Sequence, residues 1–380
     1  MNQKANSNVM HFIGQGREFF DIWIVNIILS IITLGFYTPW AKVRKKRYFY
    51  NNTFLYSDNF EYHADPKKIL AVRLSVIIFM VVATYIVSIY IRNYLVGPLI
   101  FIAILPSLIL YKTKSDAEMT SYRDIRFSFN GTLEGLFKVL IGRALVMFAS
   151  IVGFIIVFTW VRYDADLKAF GFNLLAFGII FSSYGWFISG LYKYFVNGYQ
   201  YGNKKFAADI KGQYFNELYF KVCLVVAPVF FALIFFGLIP LGLFSFGLSA
   251  FLPELMLDYY PYELLMSYYY DGFIPNFVEI ITFPVVFLIM IFGITSYTTV
   301  VIRNYVFSQL QLEVTEQDGP TFEFTSTLTF KELLSLTIYN FALQFFTLGL
   351  GRPWAMINTV RYMTKNTAVI GDLSKIDKVD

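Results

Sequence analysis

A single cysteine, Cys223, and only two histidines, His11 and His63, stand in 380 residues. One thiol excludes an internal disulfide and any multi-cysteine metal site. Charge is scarce as well. Asp, Glu, Lys and Arg make up 15% of the chain, against about 25% in a soluble globular protein. From Pro253 to Asn276 there is no Lys or Arg at all, in a stretch rich in tyrosine and acidic residues. No nucleophile–base constellation, phosphate-cradling glycine loop or zinc motif is present. Gly14-x-Gly16 has no preceding strand pattern and reads as a flexible entry to a helix. These gaps leave no catalytic residue, no metal and no cofactor to expect, and point away from an enzyme. The basic residues form no broad surface, so nucleic acid is not an expected partner.

What fills the chain instead is apolar. Hydrophobic residues reach 57%, with 43 Phe and 28 Tyr. Several apolar runs exceed the 18 or so residues that bridge a bilayer core of about 30 Å. The fold class is a multi-pass α-helical membrane protein, with about six to eight transmembrane helices and a small cytoplasmic β-rich element. Between the apolar runs, aromatic and polar residues alternate with the period of a β-strand. Phe54, Tyr56, Phe60 and Tyr62 show this, as do Ile125, Phe127 and Phe129, then Tyr199 and Tyr201, then Leu312, Val314, Phe322 and Phe324. Asn130-Gly131 and Asp318-Gly319-Pro320 read as turns. Leu218 to Leu252 is too long for one crossing, and Pro228 and Pro240 suggest a broken helix. The chain divides into one integral membrane domain, 1–380, with central two-span units at 60–126, 127–206 and 206–322. Basic residues gather on the side of the strand-like pieces, and the positive-inside rule makes that side cytoplasmic.

One stretch occurs twice. Thr33-Leu34-Gly35, Pro39-Trp40-Ala41, Arg47-Tyr48 and Asn52-Thr53 return as Thr347-Leu348-Gly349, Pro353-Trp354-Ala355, Arg361-Tyr362 and Asn366-Thr367. The copies, 18–53 and 332–367, align without a gap at an offset of 314, with 14 of 36 positions identical. That is an internal repeat. If each copy crosses once, both chain ends and the basic tail lie outside, against the charge rule. The alternative is a hairpin that enters, breaks at Thr-Leu-Gly and returns.

Phe19-Phe20-x-Ile22-Trp23-x-x-Asn26, Thr33-Leu34-Gly35, Pro39-Trp40-Ala41-x-x-Arg44, Arg47-Tyr48, Phe60-Glu61-Tyr62-His63 and Pro66 closely resemble the bacterial inner-membrane family typified by YjgN. The resemblance covers nearly the whole chain. It implies a bacterial inner (cytoplasmic) membrane and a multi-pass fold, but no activity, substrate or cofactor. The second copy of the repeat departs by losing the basic run, with Met356 to Val360 in place of Lys42 to Lys46.

The candidate sites carry two readings each. Asn26 and Asn340 sit at matched places in apolar runs, either hydrogen-bonding across a pseudo-symmetry axis or lining a solute site. Gly35 and Gly349 either bend the chain or, as paired helix breaks, mark a transport site. Arg73 and Arg143 lie about one turn inside their spans, either snorkelling or meeting an anionic solute. Lys42, Arg44, Lys45, Lys46 and Arg47 contact anionic headgroups or bind an acidic ligand. Trp40 and Trp354 anchor at the interface, and Asp21 snorkels near a helix end. Glu61, His63 and Asp65 alternate on one strand face, a weak metal or proton-relay signal. The expected function is binding or transport of a small or lipid-like solute near Asn26 and Asn340. The alternative is a scaffold acting through its cytoplasmic face. The partners to expect are the lipid bilayer with its anionic headgroups, and then a second copy of the chain or another membrane protein.

Overall fold

The computed structural model of the chain describes residues 7–90, 96–161, 167–233, 277–313 and 322–373. The chain separates into two compact units, one of residues 1–145, 187–212 and 299–380, the other of 146–186 and 213–298.

The first unit is built on a closed antiparallel barrel of ten short strands. They are β1 (Ser7–Phe12), β2 (Thr53–Leu55), β3 (Asp58–Tyr62), β4 (Thr120–Tyr122), β5 (Ile125–Phe129), β6 (Tyr199–Tyr201), β7 (Lys204–Ala208), β8 (Leu310–Glu313), β9 (Phe322–Ser326) and β10 (Thr367–Ile370). Neighbours in sequence are neighbours in the barrel, and β1 closes it by pairing with β10, Ser7 opposite Ile370. Closure leaves no strand edge with unpaired backbone groups. The expectation of a small sheet from four pieces is thus corrected to a complete barrel. The N-terminal segment, read as a helix lead-in, supplies β1, so Gly14-x-Gly16 does follow a strand.

Alternate side chains fill the lumen, as the two-residue strand period requires. Leu55, Tyr122, Tyr201, Leu312, Phe322 and Val369 form the buried core, packed by Met10, Phe60, Phe127, Phe206 and Phe324. The Tyr122 hydroxyl donates to the Leu55 carbonyl at 2.8 Å, and the Tyr201 hydroxyl donates to the Tyr122 carbonyl at 2.9 Å. One end of the barrel carries two-residue turns with positive φ: Tyr56 (59°), Arg123 and Asp124 (49° and 63°), and Gly202 (57°). Such turns match the twist of paired strands. Asn130-Gly131 is not one of them; it lies between β5 and the next helix. Asp318-Gly319-Pro320 lies outside the described residues.

Among the described residues the remaining connections are helical and leave from the opposite end. Five helical excursions alternate with the strand pairs: α1 (Gly16–Ile32) with α2 (Thr38–Asn51); α3 (Pro66–Tyr90) with α4 (Val96–Glu118); α5 (Leu133–Phe137), a π-helical turn at Lys138–Arg143 and α6 (Ala144–Val161) with α7 (Leu167–Gly198); α8 (Gly212–Leu233) with α9 (Phe277–Gln309); and α10 (Phe330–Phe346) with α11 (Arg352–Lys365). The molecule therefore repeats one unit five times, a helical pair followed by a β-hairpin, with the last hairpin split between the two termini.

Among the described residues four helices are long and apolar enough to cross a membrane: Pro66–Ile86, Leu133–Val157, Gly171–Gly198 and Pro284–Gln309. This is fewer than the six to eight expected. The terminal apolar stretches are cut into shorter helices, and the latter part of Leu218–Leu252 and the tyrosine-rich stretch Pro253–Asn276 lie outside the described residues.

Both repeat stretches fold as helical hairpins. Leu34 and Gly35 take φ of 48° and 90°, and Leu348 and Gly349 take 51° and 89°. Left-handed residues end a helix and let its last carbonyls be satisfied: the Gly35 amide donates to the Ser30 carbonyl at 2.7 Å and that of Gly349 to Gln344 at 2.7 Å. The threonine hydroxyl before each turn then accepts from the chain start of the returning helix, Tyr37 N at 3.0 Å and Gly351 N at 2.7 Å. Proline follows at the second position of each returning helix, where a missing N–H is harmless. The tips are apolar and bare: Leu34 is 89% exposed and Leu348 94%.

The first and last hairpins pack together through Trp354, whose ring lies 5.2 Å from that of Phe20 and directly over Gly16. A Cβ at Gly16 would come within 2.3 Å of the indole. Gly16→Ala is expected to destabilise the protein by about 1–3 kcal/mol through overpacking. Gly153→Ala, in open space on a helix, should be neutral or gain about 0.5–1 kcal/mol. Thermal unfolding of the two variants checks the pair; equal midpoints would contradict the packing.

In the second unit the core is Phe177, Cys223 and Ala227, with Phe154, Phe181 and Val226 against them. Gly185 lets α7 and α8 meet closely, since a Cβ there would lie 2.7 Å from the Phe215 carbonyl.

Candidate functional site

A recurring tyrosine clamps four of the five helical pairs at their roots. Tyr48 on α2 donates to the Gln15 carbonyl at 2.9 Å and accepts from its amide at 2.8 Å. Tyr362 on α11 holds Thr329 in the same way, Tyr194 on α7 donates to the Thr132 carbonyl at 2.8 Å, and Tyr305 on α9 accepts from Lys211 N at 3.0 Å. Each tyrosine stands five residues before the strand that follows its helix. Burial first, and Glu18 beside it, push the Tyr48 hydroxyl up to about 12, so that clamp stays protonated. At the same register α4 carries Ser115, and the next two residues are Asp116 and Ala117. The other helices have Phe49-Tyr50, Phe195-Val196, Val306-Phe307 and Met363-Thr364 there.

Smaller side chains on one of five roots leave a space. A cavity of about 480 Å³ opens at the barrel mouth, lined by Lys46, Tyr50, Asp116, Ala117, Thr120 and Tyr199, with Phe60, Phe127, Phe206, Val196 and Leu310 as its apolar side. Asp116 is the polar centre. Lys46 Nζ lies 2.9 Å from its Oδ1, and the Tyr62 hydroxyl donates to the same oxygen at 2.9 Å. The Lys46 ammonium also stands 4.6 Å from the Tyr62 ring centre. The side chains of Lys46 and Asp116 are 24% and 28% exposed, so the pair is neither surface-screened nor sealed.

The electrostatics favour an anion. Burial raises the Asp116 carboxyl, but the Lys46 hydrogen bond and charge, the Tyr62 hydroxyl and Lys42 outweigh it and hold the group below the usual carboxylate range. Burial lowers the Lys42 ammonium, opposed by Asp116 and reinforced by Lys46 and Lys112. The carboxylate thus meets the charges of Lys46 and Lys42, with Lys112 beside Lys42. Burial raises the hydroxyls of Tyr50, Tyr62 and Tyr199, so all three remain neutral hydrogen-bonding groups near neutral pH.

The basic run does not act as one surface. Lys46 lines the cavity, and Lys42 stands within electrostatic reach of Asp116. Arg47 donates to the carbonyls of Tyr62 and Ala64 at 3.2 and 3.0 Å, fixing the exit of β3, and its repeat mate Arg361 donates to Gly14 at 3.0 Å. Arg44, whose guanidinium donates to the Tyr37 hydroxyl at 3.3 Å, and Lys45 are the exposed members left to face headgroups. Asn340 is spent inside its own hairpin, donating to the Ala355 carbonyl at 3.2 Å and to Thr359 Oγ1 at 3.0 Å. Asn26 is buried, 5% exposed, with no partner for Oδ1. The two amides therefore do not bond across a pseudo-symmetry axis. Gly35 and Gly349 sit at the hairpin tips, away from the cavity. Arg143 lies against Gly190 and donates to Ser189 Oγ at 3.3 Å, joining α7, and Arg73 reaches the Thr38 hydroxyl. Trp40 stacks on Tyr37 and Trp354 packs on the first hairpin.

His63 Nε2 meets both Ser121 Oγ at 2.8 Å and Glu61 Oε2 at 3.3 Å. Both contacts are made through the same ring nitrogen. Asp65 caps α3 by accepting from Lys67 N at 2.9 Å. No group of three metal-ligating side chains forms among the described residues. The cavity residues Asp116, Tyr62, Tyr50 and Thr120 were absent from the sequence candidates. The signal that finds them is the missing tyrosine at Ser115, visible only once the five roots are aligned.

The chain matches the family model described as bacterial protein of unknown function (DUF898) over residues 7–379. It is 27% identical over 398 residues to a protein of Salmonella typhimurium named inner membrane protein YjgN, covering 99% of this chain and 92% of that one. The protein of the same name in Escherichia coli K12 is 28% identical over 397 residues, covering 100% and 92%. No solved structure matches. Four apolar helices and relatives so named support an inner-membrane protein, and the chain belongs to the DUF898 family.

Proposed function

We propose that the protein is a non-enzymatic inner-membrane protein that binds a small anionic amphiphile in the cavity at the barrel mouth. The observation that carries this reading is the cavity beside Asp116 and Ala117, on the one root that lacks the tyrosine, with the Lys46 ammonium on one side and phenyl rings on the other. An acid or phosphate head would share Lys46 and Lys42 with Asp116, and an apolar tail would lie on Phe60, Phe127 and Phe206. The reading sets the solute site at the barrel mouth rather than between Asn26 and Asn340. Cavities of this kind, mostly apolar with a few convergent polar groups, are the usual form of small-molecule sites. The barrel lies on the cytoplasmic side in this reading, supported by the basic residues around the helix roots. Transport would be passage between this cavity and the bilayer. A scaffold role through the basic run is left with Arg44 and Lys45 alone.

The test is thermal unfolding of the purified protein with oleate, lysophosphatidic acid or lysophosphatidylcholine. The two anionic amphiphiles should raise the midpoint and the zwitterionic one should not. Equal effects of all three, or none, would reject the reading.

A further inference from the structure

Arg73 occupies an unusual place. It lies seven residues into α3, about 10 Å along the helix from Pro66, inside a stretch apolar enough to cross a membrane. Its side chain is exposed, and among the described residues it meets no carboxylate; its bond is to the neutral hydroxyl of Thr38. A charged group at such a position snorkels to the interface or pairs with a polar or anionic group. Around the guanidinium is a groove of about 130 Å³ lined by Leu34, Gly35, Phe36, Leu70, Leu74 and Ile77. The groove is apolar except for Arg73, and Leu34 and Phe36 are 89% and 57% exposed. A second guanidinium, that of Arg44, stands at the same tip, donating to the Tyr37 hydroxyl at 3.3 Å.

The contact between Arg73 and Thr38 also sets a depth. The hairpin tip reaches no further along α3 than the arginine side chain extends from that second turn. The bare leucine and phenylalanine of the tip suit acyl chains, and the guanidinium of Arg73 beside them suits a lipid phosphate. Arg352 stands at the repeat position of Thr38, and Trp23 stands at the α1 position matching Arg73, counted from the clamped carbonyls of Gly14 and Ala64.

We propose that the groove at the tip of the first hairpin holds an anionic phospholipid. Its phosphate takes the Arg73 guanidinium and the Thr38 hydroxyl, and one acyl chain lies along Leu70, Leu74 and Ile77. A guanidinium that meets no carboxylate among the described residues selects a headgroup without an ammonium group, so phosphatidylglycerol is favoured over phosphatidylethanolamine. Paired N–H donors suit a phosphate better than a single ammonium does.

The test is lipid retention by native mass spectrometry, on full-length protein extracted from nanodiscs of phosphatidylglycerol and phosphatidylethanolamine in equal parts. The wild-type protein should retain phosphatidylglycerol. Arg73→Gln should lower that retention about tenfold, the size of one lost charge-assisted contact. Leu74→Trp, which fills the groove and keeps the charge, should lower it as well. Lys211→Gln, a cation outside the groove, should not. Unchanged retention in both Arg73→Gln and Leu74→Trp would overturn the proposal. So would equal retention of the two lipids, or displacement by millimolar glycerol phosphate, which would mark a site for a soluble phosphate. Ala117→Phe leaves this groove intact, so loss of the cavity ligand and loss of this lipid are separable.

Discussion

Ala117→Phe is expected to abolish amphiphile binding while the unfolding midpoint stays level or rises. Ala117 lines the cavity and is 4% exposed. Phe307 stands at the same register on α9, so a phenyl group there follows a pattern the fold already uses. A phenyl ring is far smaller than the cavity of about 480 Å³, so the usual overpacking cost of about 1–3 kcal/mol should be largely avoided. The added apolar burial contributes in the other direction, at about 25 cal/mol per Å². The readout is the amphiphile-induced shift in midpoint, which should vanish in the variant. A variant that keeps the full shift would mean that the ligand binds elsewhere. This outcome separates a site from a packing defect: filling a defect stabilises and changes nothing else.

Asp116→Asn is expected to do the reverse, weakening the fold and strengthening binding. The carboxylate accepts from Lys46 and Tyr62 and feels the charge of Lys42. Removing one partner of a fully buried pair costs about 3–5 kcal/mol; with a quarter of each side chain exposed, roughly 1–2 kcal/mol is the expected loss. The same change leaves the ammonium groups unshared, so an anionic amphiphile should bind more tightly. Titration gives an independent check. The folded carboxyl is held below its ordinary value of 3.8, so its stabilisation is present above that value. It is lost as pH falls through the lower folded value. Wild-type stability should therefore drop on acidification below about pH 4, and Asp116→Asn should lose that part of the drop. Equal acid sensitivity in the two proteins would remove Asp116 from the account.

Much of the architecture is local and so was readable. The Thr-Leu-Gly and Pro-Trp elements at 33–40 and 347–354 carry their own turn: a threonine hydroxyl within four residues of both partners, a glycine at φ near 90°, and a proline where no N–H is needed. Those interactions span fewer than ten residues, so the repeated letters already hold the geometry. The strand-like alternation was visible for the same reason, since facing is set by a two-residue period. The extent of pairing was not. Strands of three to six residues are marginal by themselves, and β1 depends on a partner about 360 residues away.

The candidate residues divide along the same line. Arg47 and Arg361 stood in the repeat, yet their role as clamps on Ala64 and Gly14 depends on which strand end lies beneath each helix. Asn340 looked like a membrane-depth amide awaiting a partner, and its partners Ala355 and Thr359 lie across the turn of its own hairpin.

The sequence by itself determined that the chain is a membrane protein and that its two ends carry one repeated stretch, and it left open whether each copy crosses or turns back. Hydropathy, turn chemistry and residue inventory are local or additive, so they survive without coordinates. Only the tertiary structure decided that ten strand pieces close into a barrel, that five helical roots follow one pattern, and that α4 breaks it. Asp116 has a tyrosine from β3, lysines from α2 and an empty space beside it only because the barrel brings those elements together. Its charge environment is a property of closure, and closure is set by pairings between distant parts of the chain.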